Sequence, residues 1–74
     1  MTISEAIIIL LRRDGITMKE VGEELGRPRQ TISSRLKQKN LSVGLASEML
    51  RAMGYKLIVV REEEEMPTYG LEIE

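Results

Sequence analysis

Seventy-four residues make one small domain with a marginal core, and the absence of Cys and His excludes disulfides, thiolate zinc sites and imidazole acid–base chemistry. The net charge of −1 averages two unlike parts: residues 1–61 hold all eleven Lys and Arg against six acids, while residues 62–74 hold six Glu and no base. The longest apolar run, residues 6–11, is far short of the roughly 20 a membrane span needs, and no cationic leader precedes it, so a soluble cytoplasmic protein without membrane contact is expected.

Thr2 and Glu5 have capping-box spacing, and Ile3, Ala6, Ile7, Leu10 and Leu11 follow at helical intervals. This predicts a first helix over about residues 3–14, stopped by Asp14-Gly15. Ile8 and Ile9 fall off the stripe, so that helix is apolar more than halfway round. Thr17 and Glu20 repeat the box, with Ile16 placed to close over Val21 as a hydrophobic staple. A second helix should therefore run from Met18 to near Leu25, with Gly26 turning the chain. Pro28 suits the first turn of a third helix, whose narrow apolar stripe is Ile32 and Leu36.

A fourth helix opens at Leu41-Ser42, buries Leu45, Ala46, Met49, Leu50 and Met53, and stops at Gly54. Residues 55–61, YKLIVVR, are rich in β-branched side chains and predict a strand buried on both faces. Tyr69, Leu71 and Ile73 alternate with polar residues or glycine and predict a weaker return strand, making a hairpin. The fold class expected is mostly α: a four-helix body over residues 1–54, then a C-terminal strand or hairpin with an acidic tail over residues 55–74.

The functional signal lies in the third helix. Arg27, Arg29, Arg35, Lys37 and Lys39 are all basic, and no Asp or Glu occurs between Glu24 and Glu48. Cations concentrated on one segment are the footprint of phosphate binding. Burying Val21 and Leu25 against Ile32 and Leu36 would leave the start of the third helix free to enter a major groove about 12 Å wide. Arg29, Gln30 and Thr31 sit there, with Ser34 one turn on. Arg grips guanine O6/N7 with two bonds, Gln does the same for adenine N6/N7, and Thr offers a hydroxyl or a methyl contact.

With its ordered elements, Ile16-Thr17, Val21, Leu25, Gly26, Arg29-Gln30-Thr31-Ile32-Ser33 and then LSVGLASEMLRAMGYKL, the chain resembles the lambda-repressor-like, Cro/C1-type (XRE) helix-turn-helix family of phage and bacterial regulators. The resemblance covers roughly residues 4–57. It implies phosphate contacts from the second helix start, Met18 and Lys19, and from Lys37, Lys39 and Asn40 after the third helix, with Arg35 joining if it is suitably aimed. Pro28 departs from the Ser or Thr cap common in relatives, and Gly22 stands where they favour Ala, weakening the second helix by roughly 1 kcal/mol. In several small repressors and antitoxins of this type a C-terminal strand pairs with its twin, which would make Tyr55, Leu57, Ile58, Val59 and Val60 the dimerisation residues.

The reading is a homodimeric, sequence-specific repressor of phage or mobile-element type on a palindromic double-stranded operator, needing no cofactor. The alternatives are an antitoxin whose acidic tail holds a protein partner, and a protein-binding inhibitor that imitates nucleic acid. Ser33 and Ser34 have no His or Cys to activate them, so no enzyme is expected.

Overall fold

A computed structural model describes residues 1–38, 40–68 and 70–73. Four helices follow in order: α1 (Ile3–Asp14), α2 (Met18–Leu25), α3 (Arg29–Leu36) and α4 (Val43–Ala52). Each start has a local chemical reason. The Thr2 hydroxyl accepts the Glu5 amide at 3.2 Å while the Glu5 carboxylate accepts the Thr2 amide at 3.1 Å, and Thr17 and Glu20 repeat this reciprocal box at 3.1 Å each way. Ser42 caps α4 by accepting from the Leu45 amide at 3.2 Å.

α3 starts one residue later than the sequence suggests. Pro28 lies outside the helix with an extended ψ of 151°, and no side chain caps it. Its carbonyl nevertheless opens the helical ladder, accepting from Thr31 at 3.0 Å and Ile32 at 3.4 Å. The ring thus fixes the entry angle, and Arg29 becomes the first helical residue.

α3 packs chiefly against α2, and α4 closes over α2 and α1. Ile7 of α1, Ile32 of α3 and Met49 of α4 are fully buried at the centre, and Leu10, Leu11, Val21, Leu36, Leu41, Leu50 and Met53 surround them. Ile16 packs onto this cluster, of which Val21 is a member. The turn between α2 and α3 depends on Gly26, whose φ of 67° is a left-handed conformation that a side chain would strain.

The expected C-terminal strand and hairpin are corrected by the structure. Among the described residues there is no strand, and residues 55–60 run on without a ladder partner. Far from being buried on both faces, Leu57 is 38% exposed, Ile58 51%, Val59 99% and Val60 38%. The physical reason is that among the described residues no second strand lies alongside it, and a turn closed by the Glu64 amide on the Arg61 carbonyl at 3.0 Å ends the segment. Tyr69 and Glu74 of the expected return strand lie outside the described residues. Leu71 packs onto the core, and Gly70, Leu71 and Ile73 line a groove of about 110 Å³ with Ile3, Ala6 and Leu50.

Candidate nucleic-acid interface

The rotation of a helix by about 100° per residue decides which α3 side chains share a face. Ile32 and Leu36 face inward and are buried. On the opposite side Gln30, Thr31, Ser34 and Arg35 line one open groove, and Gln38 just past the helix continues it. Three of the four expected base-reading residues are therefore together, Gln30 and Ser34 exposed and Thr31 half-buried. Arg35 joins them in that groove.

Arg29 does not line this groove. It is exposed at the tip of α3, about 100° round from Gln30 and nearer the Ile32 side. Gln38 is the residue that sequence reasoning missed. Its spacing, four after Ser34, was a usable signal, but it falls beyond Leu36 where helical periodicity no longer applies. The structure holds it in line by a turn, its amide donating to the Arg35 carbonyl at 3.1 Å. From the other side, the buried Ser4 of α1 donates its hydroxyl to the Gln38 carbonyl at 3.3 Å. Ser4 thus fixes the exit of α3 from a position 34 residues away in sequence.

The cations divide into two groups. Lys19 reaches Glu23 at 4.0 Å and Arg27 reaches Glu48 of α4 at 3.9 Å, both at the exposed surface where such pairs contribute little. Among the described residues, Arg29, Arg35 and Lys37 have no carboxylate within 4.0 Å, and all three are exposed. Asn40 is exposed beside them in sequence, whereas Lys39 lies outside the described residues.

At the start of α2 the contacts expected of Met18 and Lys19 are those of the free N–H groups at the helix end. The Met18 side chain is half-buried and packs on the core, which leaves only its backbone N–H for a ligand. The capping box takes up the Glu20 amide. The amides of Met18 and Lys19 have no backbone acceptor among the described residues. They are the donors that a helix start presents to an anion, although the Glu20 carboxylate in the same turn offsets part of the helix dipole.

Of the residues expected to dimerise, Tyr55 belongs to the body of the fold. Its amide donates to the Leu50 carbonyl at 2.7 Å and its phenol donates to Asp14 Oδ2 at 2.6 Å. That bond holds the phenol proton and raises the Tyr55 pKa above its ordinary value, with some help from desolvation. Leu57, Ile58, Val59 and Val60 remain at the surface.

The arrangement is that of a helix-turn-helix module: two short helices crossing through a glycine turn, the second offering a polar and cationic outer face. No curated protein and no solved structure matches the chain. Over residues 3–38, spanning α1, α2 and α3, it is similar to the family described as Sigma-70, region 4, a likeness that supports the broad helix-turn-helix class without reaching α4 or the acidic tail.

Proposed function

We propose that this chain binds double-stranded DNA in a sequence-specific manner through α3 and regulates transcription as a homodimeric repressor of phage or mobile-element type. The observation that carries the DNA reading is the shared groove of Gln30, Thr31, Ser34, Arg35 and Gln38 opposite the buried Ile32 and Leu36, in a stretch free of acids from Leu25 to Ser47. A helix held by one narrow stripe leaves its remaining surface free to lie in a major groove. Gln30 and Ser34 meet base edges there, Thr31 adds a hydroxyl or methyl contact, and Arg29 at the helix tip takes the next base or the backbone beside it. Arg35, Lys37, Lys39 and Asn40 hold one phosphate strand, and the amides of Met18 and Lys19, with the Lys19 ammonium, hold the other. The likeness to a sigma-70 region supports tying this DNA reading to transcription.

The dimer is supported by the exposed apolar residues 57–60, which a lone copy leaves in water. The Glu run at residues 62–65, exposed throughout, favours a second reading in which the same body is an antitoxin and the tail holds a basic protein. Selection of bound sites from random duplex DNA tests the leading reading. A palindromic consensus with half-sites about 34 Å apart is the expected result. Recovery of unenriched DNA would overturn it, and a tight basic protein partner would favour the second reading.

A further inference from the structure

We infer that Gln38 is a base-reading residue beyond the end of α3 and that the buried Ser4 of α1 is the residue that positions it. The inference rests on the DNA reading proposed above and adds to it one contact and one support. Gln38 is exposed and lines the same groove as Gln30, Thr31, Ser34 and Arg35, although α3 ends at Leu36. The chain keeps turning past that end. Lys37 has a helical φ of −81° and ψ of −16°, its amide donates to the Ser34 carbonyl at 3.3 Å, and the Gln38 amide donates to the Arg35 carbonyl at 3.1 Å. Bonds to the third residue back are the tighter form of a last helical turn. At about 1.5 Å of rise per residue, Gln30 and Gln38 stand about 12 Å apart along the axis, or about three to four base-pair steps of roughly 3.4 Å. The Gln38 side chain carries no charge, while Lys37 and Lys39 on either side of it in sequence do. A carboxamide gains little from phosphate charge but can grip adenine N6 and N7 with two bonds, so here it separates one base from another rather than raising affinity for every duplex.

Ser4 supplies the support. Among the described residues it is the one buried polar residue, 5% exposed, and it shares the face of α1 that carries Ile7 and Leu11 into the core. Alanine would fit there and would suit the helix better, so neither packing nor propensity explains the hydroxyl. A buried hydroxyl without a partner is costly, and among the described residues this one donates to a single acceptor, the Gln38 carbonyl at 3.3 Å. Ser4 is itself well held: the Thr2–Glu5 box fixes the turn it belongs to, and Ile7, one turn on, is fully buried. The carbonyl it grips belongs to the residue whose side chain enters the groove, so the bond fixes where that side chain leaves the backbone. A last turn without such a hold frays, and ordering it on DNA would cost part of the binding.

The test selects sites from random duplex DNA with the parent chain, then measures Gln38→Ala, Ser4→Ala and the double variant on the selected site, on its single-base changes and on random duplex. Gln38→Ala should lose about tenfold on the selected site and relax one base position, about three to four steps from the one that Gln30→Ala relaxes, with random duplex bound within about twofold of the parent. Ser4→Ala should stay folded by helical circular dichroism, relax that same position by a smaller factor, and leave the Gln30 position sharp. The double variant should be no weaker than Gln38→Ala, because a residue that acts only through another adds nothing once the other is gone. Equal losses from Gln38→Ala on selected and random duplex would overturn the base-reading role, as would no loss at all. Losses that multiply in the double variant, or a Ser4→Ala chain that unfolds or weakens on every sequence alike, would assign the hydroxyl to the fold and overturn the positioning role. A parent that enriches no sequence would overturn the DNA reading itself, whereas a consensus that Gln30→Ala relaxes and Gln38→Ala leaves intact would count against this inference alone.

Discussion

The Gly22 carbonyl accepts the Arg27 amide at 2.8 Å, and a Cβ built on Gly22 would lie 2.5 Å from the Arg27 carbonyl oxygen. The turn that launches α3 is thus folded back onto α2, and only a residue without a side chain fits beneath it. Arg29 N and Pro28 C, at 3.5 Å from the same point, are the next atoms such a side chain would meet. The glycine that weakens α2 by propensity is what lets the two helices of the motif meet at this angle.

Gly22→Ala should therefore destabilise the protein by about 1 to 3 kcal/mol despite the better helix propensity of Ala, because backbone must move to admit the methyl group. Gly44→Ala provides the contrast. It sits in α4 with open space around it and should stabilise by about 0.5 to 1 kcal/mol. Urea unfolding of both variants measures the two signs, and a stabilised Gly22→Ala would contradict the close approach.

Most of the helical fold was legible in the sequence because its punctuation is local. Thr2-Glu5, Thr17-Glu20 and Ser42 each fix a helix start through bonds three residues apart, and the structure places α1 and α2 where those boxes require. What local reasoning could not reach depends on distant partners. The Ser4 bond to the Gln38 carbonyl spans 34 residues, and the Tyr55 bond to Asp14 spans 41. The strand expected over residues 55–61 does not form for the related reason that alternation and β-branching describe a side-chain pattern, while a strand requires a partner that the described residues do not supply. At the candidate site, helical spacing groups Gln30, Thr31 and Ser34, which line one groove, whereas Arg29, the first residue of α3, does not line it because it lies about 100° round the helix from Gln30 on the Ile32 side.

Division of labour along α3 gives the next prediction. Gln30→Ala should cost about 1 to 3 kcal/mol on the preferred site and relax one base position, while leaving binding to random duplex nearly unchanged. Lys37→Ala should weaken all sequences alike and shallow the salt dependence by about one unit of slope. Fluorescence anisotropy at several salt concentrations separates the two, and equal loss on specific and random DNA for both variants would defeat the division.

Tyr55 sets an alkaline limit. Its folded pKa is raised because the protonated phenol donates to Asp14, so the contribution of this bond to stability is fully present below the ordinary tyrosine value near 10. It is lost as pH rises through the higher folded value. Tyr55→Phe should lower Tm at neutral pH and should lose less stability than the parent as pH rises past about 10. Parallel Tm profiles for the two proteins over that range would contradict the role of the bond.

The acidic run offers an electrostatic test. Replacing Glu62, Glu63, Glu64 and Glu65 by Gln should tighten binding to random DNA more than to the preferred site, most at low salt where the screening length is long. An unchanged ratio of specific to random affinity at every salt concentration would remove the tail as a restraint on unspecific binding and favour a protein-binding role.

The central claim is that the outer face of α3 meets the bases, and backbone NMR during titration with a site selected from random duplex tests it most directly. The largest shift changes should fall on Gln30, Thr31, Ser34, Arg35 and Gln38, with smaller ones at Met18 and Lys19, while the buried Ile32 and Leu36 change little. Changes centred on residues 57–65, with the α3 groove silent, would contradict the account.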